Sequence, residues 1–100
     1  MEMMMTVKGS AMNKNRARVW VETPKLIAYG FNRGAMVDVA IGDDSIAITL
    51  NPAGKRKTAG KGDKPLFDIC FPTEKRTAMF NNAERLAVYA TAGKLLIKAA

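Results

Sequence analysis

A two-residue hydrophobic period is the feature that most constrains this chain, and it is strongest between Arg18 and Leu50. Val19 and Val21 alternate with Arg18 and Glu22, the spacing that puts strand side chains on one face. Pro24 ends that strand or marks an edge, because proline donates no ladder hydrogen bond. Lys25 to Tyr29 has room for a turn of helix. Gly30 suits its stop, since glycine adopts the left-handed conformation without a Cβ clash. Val37, Val39 and Ile41 alternate again, Asp43-Asp44 falls in a tight connection, and Ile46, Ile48 and Leu50 complete a hairpin. The expected unit is strand, short helix or turn, strand, tight turn, strand. At about 33 residues it is too small to bury a core alone.

Phe67 to Ala100 supplies a second unit of the same kind. Phe67, Ile69 and Phe71 alternate with Asp68 and Cys70, and Pro72 follows as Pro24 follows the first strand. Glu74 to Phe80 can form a turn of helix. Leu86, Val88 and Ala90 correspond to Val37, Val39 and Ile41, and Leu95 and Ile97 correspond to Ile46 and Ile48 across an Ala92-Gly93-Lys94 turn. The order of elements reads as a diverged internal repeat with a period near about 50 residues.

The remaining segments look different. Residues 1–17 read as a flexible leader with no regular period, and Gly9-Ser10-Ala11-Met12 looks like a cloning scar before an internal start at Met12. Residues 51–66 read as a basic flexible loop, with three glycines, two prolines and Lys55, Arg56, Lys57, Lys61 and Lys64 against Asp63. That loop is either an arm that neutralises phosphates or a solvated linker. With 100 residues, 48% of them apolar, the chain is expected to form one globular domain. No apolar run approaches a membrane span of about 18 residues, and no signal peptide is read. Cys70 is the only cysteine and reads as a small buried residue of a strand, which makes a cytoplasmic location the default.

The net charge is +7, concentrated in the leader and the 51–66 connection, and it favours an anionic partner. The chain has no histidine, which removes the commonest general base and metal ligand, so neither an enzyme nor a metal or cofactor site is expected. Gly54 to Gly62 superficially resembles a phosphate-binding loop. Its glycine spacing is one residue too long, and Gly62 stands where Ser or Thr would hold magnesium. The aromatic residues fall mostly at expected core positions. Trp20 and Tyr29 are the two that could stack on a base from the surface.

Arg18-Val19-Trp20-Val21, then Gly30-Phe31 with Gly34, then Val37, Val39, Ile41, Asp43, Ile46 and Ile48 at their spacings resemble the AbrB/SpoVT family of swapped-hairpin DNA-binding domains, especially its SymE-like branch. The resemblance implies a mainly β fold, a small swapped-hairpin β-barrel built from two β-α(turn)-β-β units, residues 18–50 and 67–100. The units would form a pseudo-dimer within one chain, or be exchanged between the chains of a homodimer. In that family, contacts come from basic residues on the first strand and the segment after it. Arg18 matches the strand position, and Lys75 and Arg76 match the basic pair of the second unit. In the first unit Leu26 and Ile27 occupy the corresponding places beside Lys25, and Arg33 precedes Gly34, where SymE-like sequences often have proline. An asymmetric footprint is therefore expected.

The sequence reading is a non-enzymatic nucleic-acid-binding protein, a DNA-binding transcriptional regulator or antitoxin-like repressor acting on double-stranded DNA. Arg18, Lys25, Arg33, Lys75 and Arg76 are the expected contacts from the units, and Lys55, Arg56, Lys57, Lys61 and Lys64 those of a phosphate-contacting arm. Two alternatives stand beside it. One is a protein-interaction module using the barrel's strand edges. The other is a SymE-like toxin directed at RNA.

Overall fold

The structure is a computed structural model that describes residues 1–13, 16–72 and 85–99. The fold is mainly β. Its strands are β1 (Glu2–Asn13), β2 (Arg16–Glu22), β3 (Met36–Ile41), β4 (Ile46–Leu50), β5 (Arg56–Lys57), β6 (Ala59–Lys61), β7 (Lys64–Pro72), β8 (Arg85–Thr91) and β9 (Lys94–Ala99), with a 3-10 helix at Pro24–Tyr29. The strands run in the order β5-β3-β4-β9-β8-β1-β2-β7-β6. They divide into two sheets at β1, whose first part pairs with β8 and whose last part pairs with β2. No helix of the described residues is long and apolar enough to cross a membrane.

The strand periods of both units are realised. Inward residues Val19, Val21, Val37, Ile46, Ile48, Phe67, Ile69, Phe71, Leu86, Val88, Leu95 and Ile97 form one core between the sheets. The hairpin β3–β4 pairs Val37 with Leu50 and Ile41 with Ile46; β8–β9 pairs Leu86 with Ala99 and Ala90 with Leu95. The matching last strands pair with each other, Ile46 with Ile97 and Ile48 with Leu95. So do the matching first strands, Val19 with Ile69. Asp43-Asp44 lies in the turn closed by the Gly42 N–H donating to the Ser45 carbonyl at 2.8 Å.

The expected turn of helix is present. Thr23 caps its start, accepting from the Lys25 N–H at 3.2 Å. Gly30 stops it at φ 96°, a value that strains any residue with a Cβ. The Gly30 N–H reaches the Ile27 carbonyl at 3.0 Å and the Phe31 N–H reaches the Leu26 carbonyl at 3.1 Å, the paired bonds of a Schellman stop. Leu26 and Phe31, the apolar pair that accompanies such a stop, are both fully buried. Phe31 meets Phe67 edge to face, with ring centres 5.7 Å apart and planes at 83°.

Three expectations are corrected. Residues 1–17 do not form a flexible leader: Glu2–Asn13 is a strand shared by both sheets, Met4 and Val7 are buried, and Gly9 to Ala11 pair with β2. A bulge at Met4 explains why no period is legible, because an extra residue puts Met4 and Val7 three apart. Residues 51–66 are not one flexible loop, since they hold β5, β6 and the start of β7. Finally, the barrel is not closed. β5 and β6 lie at the two ends of the strand order and are separated in the chain by Thr58 alone, so they cannot turn to pair with each other. Thr58 bridges the gap instead: it is buried, its N–H and Oγ1 both donate to the Ala35 carbonyl (2.8 and 2.9 Å), and its carbonyl accepts from the Gly34 N–H at 2.8 Å. The expected helical turn at Glu74 to Phe80 lies outside the described residues.

The Phe31–Phe67 contact gives a direct check of this core. Phe31→Ala is expected to lower the unfolding free energy in urea by about 3–5 kcal/mol, the usual cost of truncating a buried aromatic ring. A loss under about 1 kcal/mol would place the ring outside a packed core.

Candidate functional site

β2 pairs with β7 over its whole length: Arg18 with Cys70, Trp20 with Asp68, Glu22 with Leu66. Because strand side chains alternate, the register that buries Val19 and Ile69 sends these six outward. Arg18 and Asp68 sit diagonally across the strands and form a two-bond fork, Nε to Oδ1 at 2.6 Å and Nη2 to Oδ2 at 2.7 Å. The same guanidinium lies over the Trp20 ring, 4.7 Å from its centre. Trp20 itself is 41% exposed.

Asp68 also receives Arg56. The Arg56 guanidinium donates to the Asp68 backbone carbonyl. Asp68 lies beyond the last β6 pair, Ala59 with Leu66, so this side chain supplies a donor where the neighbouring strand has ended. The hydrogen bond from Arg18 holds the Asp68 carboxyl below the usual carboxylate range; partial burial opposes it, and the charges of Arg18 and Arg56 add to it. The same bond pushes the Arg18 guanidinium up, so both partners stay charged at neutral pH.

The expected basic residues fall into distinct places. Lys61 and Lys64 face each other across the two-residue turn Gly62-Asp63, both exposed. Lys64 shares its strand face with Leu66 and Asp68, so the lysine pair stands on the same outer face as Trp20. Gly60 is required in this hairpin: at φ +120° an added Cβ would lie 2.2 Å from the Lys64 carbonyl oxygen. Arg56 and Lys57 lie on the edge strand β5, opposite Val37 and Met36, and exposed Lys55 precedes them. Lys25 is exposed on the 3-10 helix. Arg33 is exposed beside Gly34, the residue bonded to Thr58. The structure thus brings Arg18, Arg56, Lys61 and Lys64 around β7, with Lys55 and Lys57 on the neighbouring edge. Lys75 and Arg76 lie outside the described residues.

One side chain of this face, Asp68, was not singled out by the sequence, and another, Trp20, was named only as a residue that could stack from the surface. Asp68, which organises the cluster, carries no signal beyond its place in an alternating strand. Trp20 is exposed rather than core, whereas Tyr29 is half-buried and packs against the core. Cys70 is not a core residue either. It is half-buried on the outer face, its Sγ 4.0 Å from Asp68 Oδ1. Two other described cations are engaged elsewhere: Lys98 lies 5.1 Å from the centre of the Tyr89 ring, and Arg85 donates to Thr6 Oγ1 at 2.7 Å. Among the described residues no three of Cys, Asp and Glu come together as metal ligands.

Comparison with protein-family models, with characterised proteins and with solved structures found no match to this chain.

The fork makes stability depend on acid. A carboxyl whose folded pKa lies below its unfolded value of about 3.9 contributes fully above that value and loses its contribution as pH falls through the folded pKa. Asp68→Asn is therefore expected to be less stable than the parent at pH 7, and the difference should shrink below about pH 4. Urea denaturation at neutral and acid pH measures both. A difference that stays constant with pH would remove the charge of Asp68 as its source.

Proposed function

We propose that this is a non-enzymatic nucleic-acid-binding protein that holds phosphates along β5, β6 and β7. The observation that carries the reading is the ordering of the most basic segment. Arg56, Lys57 and Lys61 are presented on the short edge strands β5 and β6, Lys64 at the start of β7 across a tight turn, and Lys55 just before β5. Cations held in fixed places bind a polyanion by displacing its counterions, without the ordering cost of a mobile arm. Double-stranded DNA is the target we propose, with repression or an antitoxin-like role as its use. Lys25, Arg33, Lys75 and Arg76 are further contacts under this reading.

The swapped-hairpin, pseudo-dimeric arrangement belongs to the same proposal. It is supported by the two hairpins sharing one internal register and by the matching strands pairing across the molecule, β2 with β7 and β4 with β9.

One observation favours a second reading, a strand-edge interaction with a protein. β5 covers only Met36 and Val37 of β3, so Asp38 to Ile41 have no further partner strand beyond β4 among the described residues. An extended peptide could add there.

Salt dependence separates the two. Each phosphate contact contributes about 0.9 to the slope of log affinity against log salt on duplex DNA. Replacing Lys55, Lys57, Lys61 and Lys64 together with alanine is expected to lower that slope by about 2–3 and to weaken binding similarly on unrelated sequences. An unchanged slope and affinity would rule out these lysines as the phosphate-binding edge. Failure to bind any nucleic acid would sink the proposal and leave the strand edge of β3. Preference for RNA over DNA of the same sequence would move the target to RNA.

A further inference from the structure

Trp20 stands on an interior strand of its sheet, between β1 and β7, on the face turned away from the core. A surface tryptophan alone says little. This one is fixed from its neighbours. Arg18 lies against its ring at 4.7 Å and is itself locked by both oxygens of Asp68, the residue directly opposite Trp20 in the ladder. The guanidinium, held by Asp68, therefore sits over the ring with 41% of the tryptophan still open.

The rest of the face continues this platform towards cations. Beyond Asp68 come half-buried Leu66 and, opposite it, exposed Ala59, then the facing pair Lys61 and Lys64. Lys64 lies four residues from Asp68 on the same strand face, about 13 Å along the strand at about 3.3 Å per residue. The result is a floor of Trp20, Leu66 and Ala59 with a guanidinium at one end and paired ammonium groups at the other, and with two carboxylates between them, Asp68, engaged by Arg18, and Glu22. Glu22, exposed opposite Leu66 on the β2 side, repels phosphates and directs a bound backbone towards β6.

We infer that this face binds single-stranded nucleic acid, with one unpaired base stacked on the Arg18–Trp20 platform and its neighbouring phosphates on Lys61 and Lys64. A base inside a duplex is stacked on both sides and cannot lie on a sheet. An unpaired base can, and stacking tolerates any sequence because every base has a π-face. The adjoining guanidinium strengthens the platform for a ligand that brings negative charge with its ring. The inference rests on the nucleic-acid reading above but not on its duplex target.

Trp20 is the only tryptophan in the chain, so its fluorescence reports this site without ambiguity. The full chain is titrated with fluorescently labelled oligodeoxyuridylate and oligouridylate of about 12 nucleotides, within the usual range of single-strand sites. Binding is followed by anisotropy and by tryptophan emission, beside a duplex of equal length. Saturable quenching in step with the anisotropy of either oligomer upholds the inference, and the tighter of the two names the preferred sugar. Trp20→Ala is expected to weaken single-strand binding about tenfold or more, Trp20→Phe less, and Glu22→Gln to tighten it, with duplex affinity changing less than about twofold in each. The circular dichroism of each variant confirms that it folds. Single-strand binding that leaves the emission unchanged, or that is equal in Trp20→Phe, Trp20→Ala and the parent, overturns the stacking site while leaving the phosphate edge standing. Absence of binding to single strands and duplexes alike overturns both.

Discussion

The ladder between β2 and β7 is the pairing on which both the interior and the outer face depend. Its register, Val19 opposite Ile69, puts Ala17, Val19, Val21, Phe67, Ile69 and Phe71 in the core, each exposed by no more than 1%. The intervening residues build the Arg18–Asp68 fork and present Trp20. A slip of one residue would exchange the two sets, exposing three pairs of apolar side chains and burying a charged fork. The core therefore enforces the face. No separate interaction is needed to bring Arg18, Trp20 and Asp68 together, because hydrophobic burial on the other side of the same strands fixes where they stand.

Thr58 plays the complementary part at the open side. The two sheets share β1 on one side, but on the other the chain passes from β5 to β6 through this one buried residue. Its bonds to Gly34 and Ala35 tie that crossing to the turn before β3. The basic residues on either side are thereby anchored, Arg56 and Lys57 before it and Lys61 after it. A segment whose composition suits a linker becomes a fixed edge because its few polar anchors are satisfied by backbone groups. The edges it forms are short and lysine-bearing, which discourages unwanted strand addition.

Much of the fold was legible where the period was unbroken. Val37 to Ile41, Ile46 to Leu50, Phe67 to Phe71 and Leu86 to Ala90 read as strands and are strands, and Gly30 reads as a helix stop and is one. Legibility failed where geometry departs from the ideal ladder. The bulge at Met4 breaks the alternation of β1, so a strand shared by both sheets looked like a leader. In residues 51–66 lysines and glycines outweighed a usable sign, the Gly62-Asp63 pair that makes a two-residue hairpin turn. The face was legible only in part. Arg18 and the basic residues of the connection stood out by charge, but the role of Asp68 depends on which strand lies beside β2, and alternation does not encode that pairing. Trp20, between Val19 and Val21, suited either a surface stacker or a core residue, and only the register shows which way it points.

The outer face of β2 and β7, continued by the Lys61–Lys64 turn, is where we propose that nucleic acid sits. Nuclear magnetic resonance of the uniformly labelled chain, titrated with a short oligonucleotide, tests it most directly. The largest shifts should fall on the Trp20 indole N–H, the Arg18 Nε–H and the amides of Lys61 to Asp68, with the outer residues Lys94 and Lys98 of β9 unmoved. Shifts centred on β9 and β8 instead, or spread evenly over every lysine, would contradict it.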